Sequence, residues 1–301
     1  MTDVLRTPDE RFAALPDFPY TPHYVDDLEG RRGLRVAYVD EGPRDAHVVL
    51  CLHGEPTWSF LYRKMIPVFL EAGHRVIAPD WLGFGRSDKP VDDATYTWSF
   101  HRDTLSAFVD RLGLRGVTLV VQDWGGLLGL TLPVTHPDAV ARLLVMNTAL
   151  AVGSSPGEGF AAWRDFVART PDLSVSGLMK RAEPTLTESE AAAYDAPFPD
   201  ARYKAGVRRF PQLVATDPAM EGADVARAAA AFWSTRWSGP TFMAIGTLDP
   251  VLGPPVMAAL RSVIRGCPEP MRVEAGHFVQ EHGAPIARAA LEAWGDLPAR
   301  G

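Results

Sequence analysis

Two aspartates and a histidine, each just after a short apolar run, are the side chains of this 301-residue sequence best suited to covalent chemistry. The first, Asp123, sits in Val120-Val121-Gln122-Asp123-Trp124-Gly125-Gly126-Leu127. The β-branched run Gly116–Val121 before it has the length of a buried strand, and the apolar run Leu127–Leu132 after it suits a buried helix. A strand, a sharp turn and a helix, with a reactive group at the apex, make a nucleophile elbow. Gly125 stands two residues past the apex, where strand and helix backbones come close and a small residue is wanted; Val121 takes the matching place before it. Serine is the usual apex residue, and a carboxylate there changes the chemistry. An ionised Asp needs no base before it attacks, so it can displace a leaving group from an sp3 carbon and become an ester. Water must then cleave that ester at the Asp carbonyl, a step that needs a general base and an oxyanion hole.

The sequence offers candidates for both. The strand-like run Thr241–Ile245 leads through Gly246 into Asp249, and the run Met271–Glu274 leads into Ala275-Gly276-His277-Phe278. His277 is the candidate base; Asp249 is the acid that would fix its tautomer and stabilise the imidazolium. In an open parallel sheet the carboxyl ends of the strands line one crevice, so these three side chains can converge there. The backbone N–H groups of Trp124, next after the nucleophile, and of Glu55, in the loop after an early strand, are the natural oxyanion donors. Singly, each residue has an ordinary structural role: a helix cap for Asp123, a turn residue before Pro250 for Asp249, a loop histidine for His277. Their conjunction, in order and each at a strand end, carries the catalytic reading. His74, His101, His136 and His282 are expected on solvated faces.

The elements that must position these groups alternate along the chain. His23–Val25 and Leu34–Val39 flank a Gly30–Gly33 turn as a hairpin. Val48–Leu52, Arg75–Ala78, the elbow strand, Ala141–Asn147 and the two late runs read as strands, and Ser99–Gly113 as a helix. The prediction is an α/β fold with a mostly parallel central sheet flanked by helices. From 151 to 235 no strand is legible; aromatic-rich helical pieces are broken by Pro171, Pro184, Pro197, Pro199, Pro211 and Pro218. The expected organisation is a core of residues 1–150 and 236–301 with a helical cap inserted at 151–235. Nucleophile, acid and base follow one another in the order used by the α/β-hydrolase fold.

Composition excludes several classes. Hydrophobic residues at 47% and charged residues at 22% fit a globular protein with a sizeable core, and a net charge of -7 argues against nucleic acid or an anionic membrane surface as partner. No run approaches the roughly 18 apolar residues of a membrane span. The polar, acidic beginning carries no signal-peptide core, and Cys51 and Cys267 read as reduced thiols, so the expected location is the cytoplasm. There is no metal-ligand cluster, and neither metal nor cofactor is expected.

Four stretches resemble haloalkane dehalogenases closely: His53-Gly54-Glu55-Pro56-Thr57-Trp58-Ser59, Asp80-Trp81-Leu82-Gly83-Phe84-Gly85-Arg86-Ser87-Asp88, Gln122-Asp123-Trp124-Gly125-Gly126 and Ala275-Gly276-His277-Phe278-Val279-Gln280-Glu281. The resemblance covers nearly the whole chain, including the cap stretches Leu178–Arg181 and Ala196–Asp200. Asp-Trp-Gly-Gly is shared with soluble epoxide hydrolases; the Glu-Pro-Thr-Trp-Ser continuation tilts the reading to dehalogenases. The sequence resembles the subfamily whose acid follows the late strand, as Asp249 does, and whose second halide donor is a cap Trp. Where another subfamily carries its acid, this chain has Asn147-Thr148.

The resemblance implies hydrolysis of short haloalkanes to a primary alcohol and halide through an alkyl ester of Asp123. Halide leaves as a soft anion that wants N–H donors, and an indole donates without an acceptor to repel it. Trp124 beside the nucleophile and Trp163, which matches the family's cap donor, would hold the ion. Phe160, Phe210, Pro211, Val214 and Leu127 are expected to line an apolar pocket, because such substrates offer little to hydrogen-bond. The partners are then a small apolar halogenated alkane and water, with halide a product, and the expected assembly is a monomer. Trp58, Trp81, Trp98, Trp233, Trp237 and Trp294 read as structural. An epoxide hydrolase with the same triad is the alternative, with Tyr194 and Tyr203 as donors to an alkoxide. A non-catalytic binding member of the fold is the other. A serine esterase is weakened by the lack of Ser at 123, and a fluoroacetate-type enzyme by Trp124 standing where it would carry Arg.

Overall fold

The apolar runs pair side by side in the computed structural model, which describes residues 3–297. Residues 1–2 and 298–301, the outer ends of the two expected core segments, lie outside the described residues. Ten strands are present: β1 Val4–Leu5, β2 His23–Val25, β3 Val36–Glu41, β4 Val48–Leu52, β5 Arg75–Pro79, β6 Lys89–Pro90, β7 Val117–Gln122, β8 Val140–Met146, β9 Thr241–Gly246 and β10 Met271–Val273. β1 pairs with β6, and the other eight form one sheet in the order β10-β9-β8-β7-β4-β5-β3-β2. Within that sheet only β3 runs against its neighbours, β2 and β5, and the remaining pairings are parallel; β1 and β6 pair antiparallel. Parallel strands need helical crossovers on the sheet faces, which is why the central β7 is buried at all six residues and is apolar apart from Thr118 and Gln122.

Eleven helices complete the described chain: α1 Ile66–Glu71, α2 Trp98–Arg111, α3 Trp124–Gly129, α4 Leu132–Thr135, α5 Glu158–Arg169, α6 Val175–Ala182, α7 Glu188–Asp195, α8 Ala205–Leu213, α9 Ala223–Thr235, α10 Pro254–Val263 and α11 Gly283–Trp294. The helix expected after the elbow starts at Trp124 and splits into α3 and α4. Pro133 has no N–H to give to the Gly129 carbonyl, and it is tolerated only in the first turn of the new segment. α2 begins where the Thr97 hydroxyl accepts from the Phe100 amide at 3.0 Å.

Between β8 and β9 the described residues hold five helices, α5 to α9, and no strand. α5 packs on α8 and α6 on α7, whereas α9 packs on α4 and α10, in the layer that flanks the sheet. A buried ion cluster ties α7 to the core. Arg63 donates to both Glu281 oxygens at 2.7 Å and to Glu190 of α7 at 2.8 Å.

Two histidines are not on solvated faces. His101 falls on the buried stripe of α2 with Trp98, Leu105 and Phe108, at helical spacing, and is fully buried against Tyr96, Phe100 and Phe210. Burial holds it neutral, with a pKa lowered to about 3. His74 is buried beside Asp296, 3.1 Å away.

Candidate active site

β7 ends at Gln122 and α3 begins at Trp124, leaving Asp123 alone at the turn with φ 49° and ψ -125°. Among the described non-glycine residues only Asp17 shares a positive φ. Such a conformation strains an L residue and persists when the surroundings enforce it. Here the Asp123 amide donates to the Asn147 carbonyl at 3.0 Å. The Asp123 carbonyl accepts from the Gly126 and Leu127 amides and from the Thr148 hydroxyl at 2.7 Å. Three glycines make the turn possible. A Cβ at Gly125 would lie 1.9 Å from the Leu52 carbonyl oxygen, at Gly126 2.1 Å from Thr148 Oγ1, and at Gly54 2.4 Å from Asp123 Oδ1. The elbow therefore presses directly on the end of β4, the strand that carries Gly54 and Glu55 at its exit.

The structure brings Asp123, Asp249 and His277 together at the carboxyl ends of β7, β9 and β10. His277 Nδ1 lies 2.8 Å from Asp249 Oδ2, and its Nε2 lies 3.6 Å from Asp123 Oδ2. Asp249 has a fully buried side chain. Burial alone would raise its pKa. The His277 charge and hydrogen bond, the Val251 amide and the Asn147 amide outweigh that and hold it at about 2, so Asp249 is an anion at any working pH. Burial likewise opposes charge on His277, but Asp249 and Asp123 on either side raise it well above the usual histidine range.

Asp123 Oδ1 accepts from the Glu55 amide at 2.7 Å, so one of the two expected oxyanion donors already points at the nucleophile. The Glu55 side chain is buried, and burial followed by repulsion from Asp123 pushes its pKa well above the usual carboxylate range. Both effects favour the neutral form of this carboxyl. The Trp163 indole of α5 lies on the same side of the site and opposes that rise slightly.

These groups open on a cavity of about 790 Å3. Trp124, Trp163, Phe160, Leu127 and Val214 line it, with Asp123, Glu55, Asp249 and His277 at its base. Phe210 and Pro211 do not reach it. Phe210 is fully buried behind the site, stacked on the Trp124 ring at 4.3 Å and 11° and against Phe84 on its far side. It fixes the Trp124 indole from behind. The reason is helical phase: α8 turns Phe210 and Pro211 into the core and leaves Val214, just past its end, facing the cavity. Neither tyrosine required for an epoxide reading lines the cavity. Tyr194 is fully buried, its hydroxyl donating to Glu281. Trp58, Trp81, Trp98, Trp233 and Trp237 are buried in the core.

Two side chains go beyond what the sequence indicated. Asn147, at the end of β8, donates to Asp249 Oδ2 at 2.9 Å while its own carbonyl oxygen accepts from the Gly246 amide at 2.8 Å, so it sets the acid in place. Gln122 Nε2 lies 2.9 Å from His277 Nε2 and donates to the His277 carbonyl at 3.1 Å. Its only sequence signal is its place as the last residue of the elbow strand.

A family model described as the alpha/beta hydrolase fold matches residues 47–284. A haloalkane dehalogenase of Psychrobacter cryohalolentis is 45% identical over 98% of this chain and 99% of its own. One from Mycolicibacterium paratuberculosis is 41% identical over 97% and 98%. The solved tetrameric haloalkane dehalogenase DpaA of Paraglaciecola agarilytica superposes with a TM-score of 0.94 at 52% identity, covering 96% of this chain and 98% of that one.

Proposed function

The chain belongs to the haloalkane dehalogenases of the α/β-hydrolase fold, enzymes that cleave carbon–halide bonds by hydrolysis, and from that premise we propose that Asp123, His277 and Asp249 carry the reaction in two steps. The observation that supports this most is the Asp123 carboxylate itself. One oxygen is occupied by the Glu55 amide; the other is free, faces His277 and opens on an apolar cavity.

In the first step Asp123 Oδ2 attacks the carbon in line with the carbon–halogen bond, which breaks as the ester bond forms. The departing halide takes the electron pair, and the indole N–H groups of Trp124 and Trp163 hold it. Esterification removes the anion 3.6 Å from His277 Nε2, and with it part of what raises the histidine's pKa. His277 thus becomes a competent base when one is needed. In the second step it takes a proton from water, whose oxygen attacks the Asp123 carboxyl carbon. Negative charge develops on Oδ1, where the amides of Glu55 and Trp124 receive it. The intermediate collapses as His277 gives that proton to the leaving alcohol, and the carboxylic acid left at Asp123 then loses its proton through His277 to solvent, which restores the carboxylate and balances the released halide. Asp249 balances the imidazolium throughout.

Every group in this scheme comes from one chain, so a monomer is a complete catalytic unit, and no metal or cofactor enters. Within the expected insert 151–235, α5 to α8 act as the cap, with α5 bringing Trp163 to the cavity, while α9 belongs to the layer that flanks the sheet. The two free thiols fit a reducing compartment such as the cytoplasm.

The test is a panel of chloro-, bromo- and iodoalkanes with an epoxide alongside. Halide and alcohol in equal amounts support the reading; diol from the epoxide without halide from the others contradicts it. Because burial and Asp123 favour the neutral form of the Glu55 carboxyl, Glu55→Gln is close to that form in charge and shape, and kcat/KM is expected to stay within about threefold. A loss of more than about a hundredfold in steady-state assays would mean that an ionised carboxylate is needed there.

A further inference from the structure

The cavity is much larger than a short haloalkane requires. Its volume of about 790 Å3 lies within the range of sites that enclose drug-sized ligands. A water molecule takes about 30 Å3 in the liquid, and a haloethane amounts to only a few such volumes.

The surplus has a direction. Beyond Asp249, Val251 and Leu252 lead the lining on to α10. There Pro255, Val256, Ala259, Leu260 and Val263 face the cavity, at the spacing of a single stripe along one helix. From the first to the last that stripe runs about 12 Å, the length of an extended chain of roughly eight to ten carbons. Leu150, Val152 and, from α9, Ala230 also line the cavity, and Ala230 and Ala259 present only small side chains to it. At the catalytic end Leu248 is 63% exposed, whereas the other exposed large apolar side chains are at 37–38%. An apolar stripe and an exposed leucine, continuous with the reacting carboxylate, match an alkyl chain better than water.

Resting on the dehalogenase reading, we infer that the preferred substrates are long, unbranched primary haloalkanes, whose halogen end sits between Trp124 and Trp163 while the chain lies in the groove along α10. Short haloalkanes, expected from sequence, remain substrates in this reading, with longer chains preferred. Specificity then belongs to α10 and α9 rather than to the cap residues next to the nucleophile.

The experiment measures kcat/KM along the 1-bromoalkanes from ethyl to dodecyl. Each methylene that enters the groove is expected to raise kcat/KM about three- to fourfold, with the maximum near octyl to decyl. Ala259→Trp, which fills the groove from an exposed position, should cut the octyl-to-ethyl ratio about tenfold or more; Ala230→Phe should do the same from α9. Ala258→Trp, exposed on α10 but outside the lining, should leave the profile as it is. A profile that peaks at ethyl or propyl, or that neither groove variant alters, overturns the inference while leaving the dehalogenase intact. Absence of bromide from every member, ethyl included, overturns the dehalogenase reading itself.

Discussion

His277→Phe is expected to release one equivalent of halide per active site and then stop. The first step needs only the ionised Asp123 and the two indoles, so the ester still forms. The second needs a proton taken from water, and phenylalanine cannot take it. Steady-state turnover should fall by about a thousandfold or more, while the burst keeps its stoichiometry. Rapid quenching with halide detection reads both, and the mass of the stalled protein should rise by the alkyl group. Undiminished turnover in this variant would remove His277 from the mechanism. The wild-type enzyme should show the same division with pH. His277 must be neutral to act, so ester hydrolysis falls as pH drops through the histidine's pKa in the ester, whereas the halide burst persists below it. The free enzyme holds that proton more tightly, because Asp123 is then still an anion.

Asp123→Ala should abolish burst and turnover together, by about ten-thousandfold or more, since nothing else in the cavity base is placed to attack carbon. Burial disfavours an ionised Glu55, and Asp249 is fully buried behind the histidine. The variant carries a second readout. Removing Asp123 removes one of the two anions that raise His277, so the histidine should titrate lower than in the wild type, as NMR of its ring protons reads directly. A variant that still formed an alkyl adduct would place the nucleophile elsewhere.

The parts of this arrangement that were legible in sequence are those whose chemistry or burial forces a residue type. β4, β7 and β9 read as strands because parallel strands covered on both faces are uniformly apolar. Asp123, Asp249 and His277 stood out because each follows such a strand, and the strand ends share one crevice. Trp124 was fixed by adjacency. What did not show depends on the phase of helices packed from far along the chain. Phe210 looked like a pocket residue, yet α8 turns it behind Trp124, where it stacks and braces. His101 reads in sequence as a residue of a solvated face, but α2 rotates it into an aromatic nest. Asn147 was noticed for not being an acid, while its grip on Asp249 needed the pairing of β8 with β9 to appear. The long face of α10 carries only ordinary apolar residues, and a sequence does not say whether such a stripe meets a core or an open groove.

The central claim is that the oxygen reaching the product comes from Asp123 rather than directly from water. A single turnover in water labelled with heavy oxygen, with enzyme in excess over a bromoalkane, tests it most directly. The two-step account predicts that the first alcohol formed carries unlabelled oxygen from Asp123, while the label enters the Asp123 carboxylate and is found in the peptide that contains it. Labelled alcohol from the first turnover, with an unlabelled Asp123, would mean that water attacks carbon in one step and that the elbow carboxylate is not the nucleophile.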